Sequence, residues 1–270
     1  MTAELLDGKK VSEIILEGLA KKIAKMQKKP NLTAILVGED TASEIYVGQK
    51  EKVANKIGIN FNLIKKPGNT SQIELETLID SLNKDPKVQG IIVQKPLPSK
   101  LESDKIDLLI DPKKDVDGLN PISEFTPATT RGIIELLNFY KIKIEAKRVV
   151  VIGISKLVGL PTALEFLNKN ATVSICHIKT PKLVTETKQA DILVVAAGHS
   201  NLISANMVKK GAVVIDVGIN RIEKRGKIKL VGDVDFQAVS KIASFVTPVP
   251  GGVGPMTVAG LMQNLIETTS

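Results

Sequence analysis

Ser43, Tyr46 and Lys50 recur at i, i+3 and i+7, a spacing that sets a hydroxyl, a phenol and an ammonium on one helix face. A lysine partly withdrawn from water beside a hydroxyl has its pKa lowered toward neutrality, where it serves as general acid or base. The same spacing suits a plain Tyr–Lys pair on a solvated helix face, and spacing does not choose between the two. Gln94 ends the stretch VQGIIVQ and precedes Lys-Pro-Leu-Pro, so an amide with both donor and acceptor stands at a strand end before a rigid turn. Asp115-Val-Asp117-Gly118 follows in a polar stretch. A carboxylate there is a solvated Asx turn or the group that grips the N–H edge of a pterin- or guanine-like ring. Thr247–Thr257 holds three Pro and three Gly in eleven residues, and is expected to be neither helix nor strand while exposing backbone amides and carbonyls.

A second kind of chemistry is written in small residues. After the apolar run RVVVI comes Gly153-Ile154-Ser155-Lys156-Leu157-Val158-Gly159-Leu160-Pro161. Gly153 permits a sharp strand exit, and Gly159 lets backbone pass close to a pyrophosphate at a helix start. Ser155 bonds a phosphate or a helix-terminal amide, and Pro161 suits a first helical turn. Two further apolar strands end in small residues, at Val195-Ala-Ala-Gly198 and Asp216-Val-Gly218-Ile219. In an open α/β sheet the carboxyl ends of strands line the ligand crevice, so these ends leave room for a flat ring. Cys176 and His177 read as a small core residue followed by a surface histidine.

The elements that must position these groups alternate almost throughout. Residues 9–28 carry Val11, Ile14, Ile15, Leu19 and Ile23 at helical spacing, with Pro30 as the stop. Leu32–Val37, Phe61–Ile64 and Val88–Val93 read as strands. Ser43–Ile57, with Gly58 as its C′ residue, and Ser71–Asn83 read as helices. Residues 95–131, dense in Pro, Asp and Ser, read as a long functional loop, followed by a helix over Gly132–Tyr140. From Arg148 the alternation restarts with strands RVVVI, ATVSIC, ADILVVAAG, GAVVIDVG and SFV and a helix over Leu160–Asn168. Thr257–Thr268 is amphipathic and fits either half. Unbroken apolar strands joined by helices predict mostly parallel sheets covered on both faces. The fold class is thus α/β, in two α/β domains with a boundary near residue 146.

Composition narrows the partners. Of 37 basic residues only four are Arg, the side chain that reads phosphates and guanines bidentately, and aromatics are 3% with no Trp. The net charge of +8 therefore reads as a surface that attracts anionic small molecules, not as a nucleic-acid interface. No stretch approaches a membrane span, and acids near residue 1 with no long apolar run argue against a secretory signal, which implies a cytoplasmic location. One Cys and two His leave no structural zinc set and no internal disulfide.

The segments VGED-TASEIYVGQK, GIIVQKPLP, KDVDG, VVVIGISKLVGLP, ATVSICHIKT, GAVVIDVGIN, GDVDF and TPVPGGVGPMT together resemble the bifunctional methylenetetrahydrofolate dehydrogenase/methenyltetrahydrofolate cyclohydrolase family, in the family's order from residue 3 to about 266. The resemblance implies a folate-binding catalytic domain over 1–146, to which the C-terminal helix 257–270 returns, and a Rossmann-like NAD(P)-binding domain over 147–256. It implies tetrahydrofolate derivatives as substrates and a homodimer. By the same resemblance Lys50 is the catalytic lysine, Tyr46 its positioning partner, Gln94 the side chain that holds it and Asp117 the pterin anchor. Ser43, Leu97, Pro250, Gly251 and Gly252 join Tyr46, Gln94 and Asp117 around the folate. Gly153, Ile154, Ser155, Val158, Gly159, His177, Lys179, Thr180, Ala197, Gly198, Gly218 and Ile219 hold the dinucleotide. NADP is usual in the family, with NAD the alternative here. Ile154 and Ile178 stand where the family often has Arg and a small polar residue, and Lys156 or Lys179 can compensate. Pro127-Ala128-Thr129-Thr130 replaces a usual Pro-Cys-Thr-Pro, Gly118–Phe125 is short, and Lys95 stands where Leu is usual. These departures bear on the relative rates of the two activities. Two other readings are a dehydrogenase without the cyclohydrolase step and a non-catalytic nucleotide- or RNA-binding protein.

Overall fold

A computed structural model describes residues 2–224 and 227–269. Along the chain run β1 (Glu4–Leu5), α1 (Gly8–Ile23), β2 (Asn31–Val37), α2 (Thr41–Ile57), β3 (Asn60–Lys66), α3 (Gln72–Lys84), β4 (Gly90–Val93) and α4 (Ser103–Leu109). Then come α5 (Ala128–Phe139), β5 (Arg148–Ile152), α6 (Gly159–Asn168), β6 (Thr172–Cys176), α7 (Leu183–Thr187), β7 (Ile192–Val195) and β8 (Val213–Asp216). The chain closes with β9 (Asn220–Lys224), β10 (Lys227–Val231), α8 (Phe236–Val239), β11 (Phe245–Val246) and α9 (Val253–Glu267). Two compact units result: Glu13–Ala128 with Val258–Ser270, called the first unit below, and Met1–Ser12 with Thr129–Thr257, the second.

In the first unit the sheet is β3-β2-β4, all parallel. β2 is buried on both faces, and its side chains divide with period two. Leu32 and Ala34 enter a cluster with Val47 and Ala54 of α2 and Leu261, Met262 and Leu265 of α9. Ile35 and Val37 enter the opposite cluster with Leu75 and Ile79 of α3 and Ile106 of α4. Helix starts are set by side-chain caps: Asp40 accepts from Ser43 N at 2.7 Å, and Ser71 forms a capping box with Glu74. Gly58, in the left-handed region at φ 91°, closes α2.

The second unit carries a six-stranded parallel sheet, β1-β11-β8-β7-β5-β6, and a separate antiparallel pair β9-β10. Val150, Ile152, Leu193, Val195 and Val214 fill one face of that sheet.

Several expectations need correction. α1 stops at Ile23, well short of residue 28, where Lys25 and Met26 donate to carbonyls three residues back and tighten the last turn. The stretch 95–131 is not one loop: it contains α4, anchored by fully buried Ile106, and the start of α5 at Ala128, four residues before Gly132. The Gly/Pro cluster at 247–257 also turns helical from Val253. Pro255 is the third residue of α9, where the backbone N–H has no intrahelical acceptor to lose. The β9-β10 pair, β1, α7 and α8 were not anticipated. Residues 2–12 and 129–146 group with the second unit, not with the lysine-bearing half. β1 pairs with β11 at the sheet edge, and Asp7 N donates to Tyr140 Oη at 3.0 Å just after α5.

Candidate active site and dinucleotide-binding surface

Within the first unit, α2 presents Ser43, Tyr46 and Lys50 as its periodicity requires. Lys50 Nζ donates to Gln94 Oε1 at 3.1 Å. Gln94 follows β4, where its N–H extends the sheet by donating to Ile35 O at 2.9 Å. Its Nε2 donates to the carbonyl of Lys95 at 2.6 Å, and buried Ser43 donates its hydroxyl to the same carbonyl at 3.3 Å. An amide whose N–H₂ end is committed to a carbonyl must turn its oxygen outward, and that oxygen meets the ammonium. Lys50 is therefore held by a neutral acceptor, which fixes its position. Tyr46 is half-buried on the same helix face, and Leu97 packs at the edge of the cluster under β4.

Asp117 sits half-buried in a loop built by its neighbour. Asp115 is buried, and its carboxylate accepts from Gly118 N at 3.1 Å and Asn120 N at 2.7 Å. Burial pushes that carboxyl up to about 6. Ile91 N of β4 donates to Lys114 O at 2.8 Å, and Asn264 of α9 donates to Val116 O and Thr126 O at 2.8 and 2.9 Å. The loop that carries Asp117 is thus pinned to sheet and helix. The Asx-turn reading describes Asp115, although that residue is buried and not solvated.

In the second unit, β5 exits through Gly153 at φ 120°, a conformation that excludes a side chain. A Cβ there would run into the carbonyl of Ala196, and one on Gly159 would run into the carbonyl of Gly153. Ser155 Oγ accepts from Val158 N and Gly159 N at 3.2 and 3.4 Å, so its hydroxyl caps the start of α6. These strand ends open on a cavity of about 840 Å³. Gly153, Ile154, Ser155, His177, Lys179, Thr180 and Ala197 line it. Val158, Gly159, Gly198, Gly218 and Ile219 do not line it. His177 N donates to Thr180 Oγ1 at 2.9 Å, and Lys179 N donates to His177 Nδ1 at 3.1 Å, closing a tight turn after β6. The cradle of glycine backbone, small strand ends and a helix start fits a dinucleotide.

Pro250, Gly251 and Gly252 also lie in the second unit. There the Gly251 carbonyl accepts from Lys9 N at 2.9 Å.

The reading of residue types missed two buried carboxylates that build the nucleotide surface. Asp233 Oδ2 accepts from Ala197 N and Gly198 N at 2.7 and 2.8 Å, and Oδ1 accepts from Asn220 Nδ2 at 2.8 Å. Asp216 accepts from Gly218 N, Asp233 N and Val234 N at 2.9 to 3.0 Å. Burial pushes the Asp216 carboxyl up to about 6, with the Asp233 charge adding to the rise. The signal was present as an Asp within two residues of a glycine at a strand end, in GAVVIDVG and GDVDF. Leu183, His199 and Leu202, which also line the cavity, were missed as well.

Among the described residues no group of three or more His, Cys, Asp or Glu is placed to hold a metal ion, and no helix is long and apolar enough to cross a membrane.

Comparison with known proteins agrees with both halves of this geometry. Residues 6–117 match the family model described as tetrahydrofolate dehydrogenase/cyclohydrolase, catalytic domain, and residues 127–270 match its NAD(P)-binding domain. The chain is 47% identical over 277 residues to the Bifunctional protein FolD of Exiguobacterium sibiricum, covering 98% of this chain and 99% of that one. Among solved structures, the Campylobacter jejuni bifunctional enzyme FolD is 46% identical, with a TM-score of 0.95 and 98% of each chain covered. The Trypanosoma brucei enzyme, complexed with NADP and an inhibitor, is 34% identical with a TM-score of 0.95, covering 99% of this chain and 97% of that one. Two family models that together match residues 6–117 and 127–270, with relatives near 47% identical over 98% of the chain, place this protein in the tetrahydrofolate dehydrogenase/cyclohydrolase family.

Proposed function

We propose that this chain oxidises 5,10-methylenetetrahydrofolate to the 5,10-methenyl cation with a nicotinamide dinucleotide, and then hydrolyses that cation to 10-formyltetrahydrofolate. The observation that carries the reading is the 3.1 Å hydrogen bond from Lys50 to Gln94. It holds an amine at a defined point of the domain that matches the family's catalytic model. The bound nicotinamide supplies the hydride acceptor. For that step the protein's contribution is alignment, and the glycine turn and capped helix of the second unit provide the fixed surface.

Hydrolysis is where side chains act on protons. Water adds to the methenyl carbon and must lose a proton to give the neutral carbinolamine. The ring nitrogen must gain a proton as its bond to that carbon breaks. Lys50 is the group we assign to this traffic, with Tyr46 positioning it and Gln94 fixing its direction. Asp117 anchors the pterin through its N–H edge, with Ser43, Leu97, Pro250, Gly251 and Gly252 as further folate contacts. The retained Lys50–Gln94 pair favours this reading over a dehydrogenase lacking the second step.

NADP is the proposed cofactor. Ile154 and Ile178 provide no charge for a 2′-phosphate, whereas Lys179 lines the cavity beside them and supplies one. We also propose that the enzyme works as a homodimer in the cytoplasm, with the first unit serving folate and the second serving the nucleotide. The test is a spectrophotometric assay with methylenetetrahydrofolate and each nicotinamide cofactor in turn, followed by methenyltetrahydrofolate decay without nucleotide. Decay no faster than the uncatalysed rate would remove the cyclohydrolase half. A lower KM for NAD than for NADP would remove the NADP assignment.

A further inference from the structure

Lys95 directly follows the glutamine that holds Lys50, and its side chain runs the other way. Its Nζ lies 2.7 Å from Asp107 Oδ1, and it donates to Ser103 Oγ at 2.7 Å and Ser103 O at 3.3 Å. Both partners stand on α4. The ion pair is nearly buried, with the Lys95 and Asp107 side chains 12% and 14% exposed. The carbonyl of the same Lys95 is the acceptor shared by Gln94 Nε2 and Ser43 Oγ.

We infer that the Lys95–Asp107 ion pair is a positioning device for the hydrolytic step: it anchors the Lys95 backbone to α4, and that carbonyl sets the amide of Gln94 with its oxygen toward Lys50. The inference rests on the role assigned to Lys50 above. Its physical core is the asymmetry of an amide. With its Nε2 bound to a fixed carbonyl, Gln94 offers an acceptor to the ammonium, whereas a displaced carbonyl frees it to rotate and set N–H₂ against –NH₃⁺. The pair also polices itself. Burial already pushes the Asp107 carboxyl up despite the facing ammonium, and the neighbouring Asp117 charge adds to this. Without Lys95 that carboxylate would have to take a proton or draw α4 outward into water. Lys95 touches no reacting atom in this scheme and is a positioning residue.

The test measures both activities and their KM values on the purified full-length chain carrying Lys95→Met, Lys95→Arg or Asp107→Asn. Lys95→Met and Asp107→Asn are expected to lower the ratio of cyclohydrolase to dehydrogenase kcat about tenfold, as a small misplacement of a working group does. The KM for methenyltetrahydrofolate should stay within about twofold, and Lys95→Arg, which keeps the ion pair, should restore at least half the ratio. A ratio unchanged in Lys95→Met and Asp107→Asn, or both activities falling together, overturns the inference. If Lys95→Met does not fold, Asp107→Asn and Lys95→Arg decide it on the same ratio. Lys50→Met run alongside separates the two claims: a loss of cyclohydrolase activity there, with none in the Lys95 and Asp107 variants, sinks this inference alone. Retention in Lys50→Met sinks the reading beneath it.

Discussion

The first unit works through side chains and the second through backbone. Around Lys50 the informative bonds start from side chains, the Lys50 ammonium meeting the Gln94 amide and Gln94 and Ser43 sharing one carbonyl, and the group presented is a flexible ammonium. Around Gly153 the presented groups are peptide units, and the side chains that matter, Asp216 and Asp233, are buried beneath the surface they shape. A proton-moving site needs a group that changes charge, so its residue type is the function. A site that cradles a dinucleotide needs peptide groups held still, so the side chains that fix them lie beneath its surface.

That contrast can be broken, and the strongest attempt is Lys50→Met. Cyclohydrolase turnover should fall by about 10³-fold while dehydrogenase turnover falls far less; equal retention of both would erase the contrast. Next is Asp233→Ala, which strips the acceptor from Ala197 N, Gly198 N and Asn220 Nδ2 together. It should cost about 4 kcal/mol of stability in denaturant unfolding and raise the KM for the nucleotide. A wild-type melting profile would show that the loop holds itself.

One feature crosses the divide. Asp115 in the first unit and Asp216 in the second are both pushed up to about 6 from an ordinary 3.8 by burial. The folded state holds these protons more tightly than the unfolded chain. Each group's contribution is therefore fully present below about pH 3.8 and lost as pH rises through about 6. Asp115→Asn and Asp216→Asn, which do not titrate, should each gain on the wild type by about 2.4 kcal/mol between pH 4 and pH 7. Stability differences that stay flat across that range would remove the parallel. The smallest effect expected is that of Gly159→Ala, whose Cβ meets the Gly153 carbonyl. The KM for the nucleotide should rise about tenfold, roughly 1.4 kcal/mol, with nucleotide-free cyclohydrolase activity intact. Loss of both activities would mean the glycine serves the fold, not the cradle.

Much of the side-chain site was legible because helix periodicity and strand ends are local. Ser43, Tyr46 and Lys50 share a face by spacing alone, and Gln94 announces itself at the end of an apolar run. The strands β2, β5, β7 and β8 stood out because sheets buried on both faces demand unbroken apolar sequence. α4 was hidden because seven residues dense in Asp and Ser carry only a short apolar repeat around Ile106. The start of α9 was hidden because Gly and Pro were weighed as in a helix interior, where their cost differs from that in a first turn. The β9-β10 pair is charge-rich and lacks the apolar signature. Asp216 and Asp233 escaped for a deeper reason: the amides they hold belong to loops up to 36 residues away, which no local pattern reports.

Ile154 and Ile178 line the cavity of the second unit yet are 52% and 90% exposed, outside the stapled carboxylate network. Exposed positions tolerate exchange at little thermodynamic expense, so on the cofactor site proposed above the choice of one dinucleotide over another is decoupled from foldedness. A lineage, or an engineer, can retune coenzyme choice at that rim by single changes while the bonded loops behind it stay as they are.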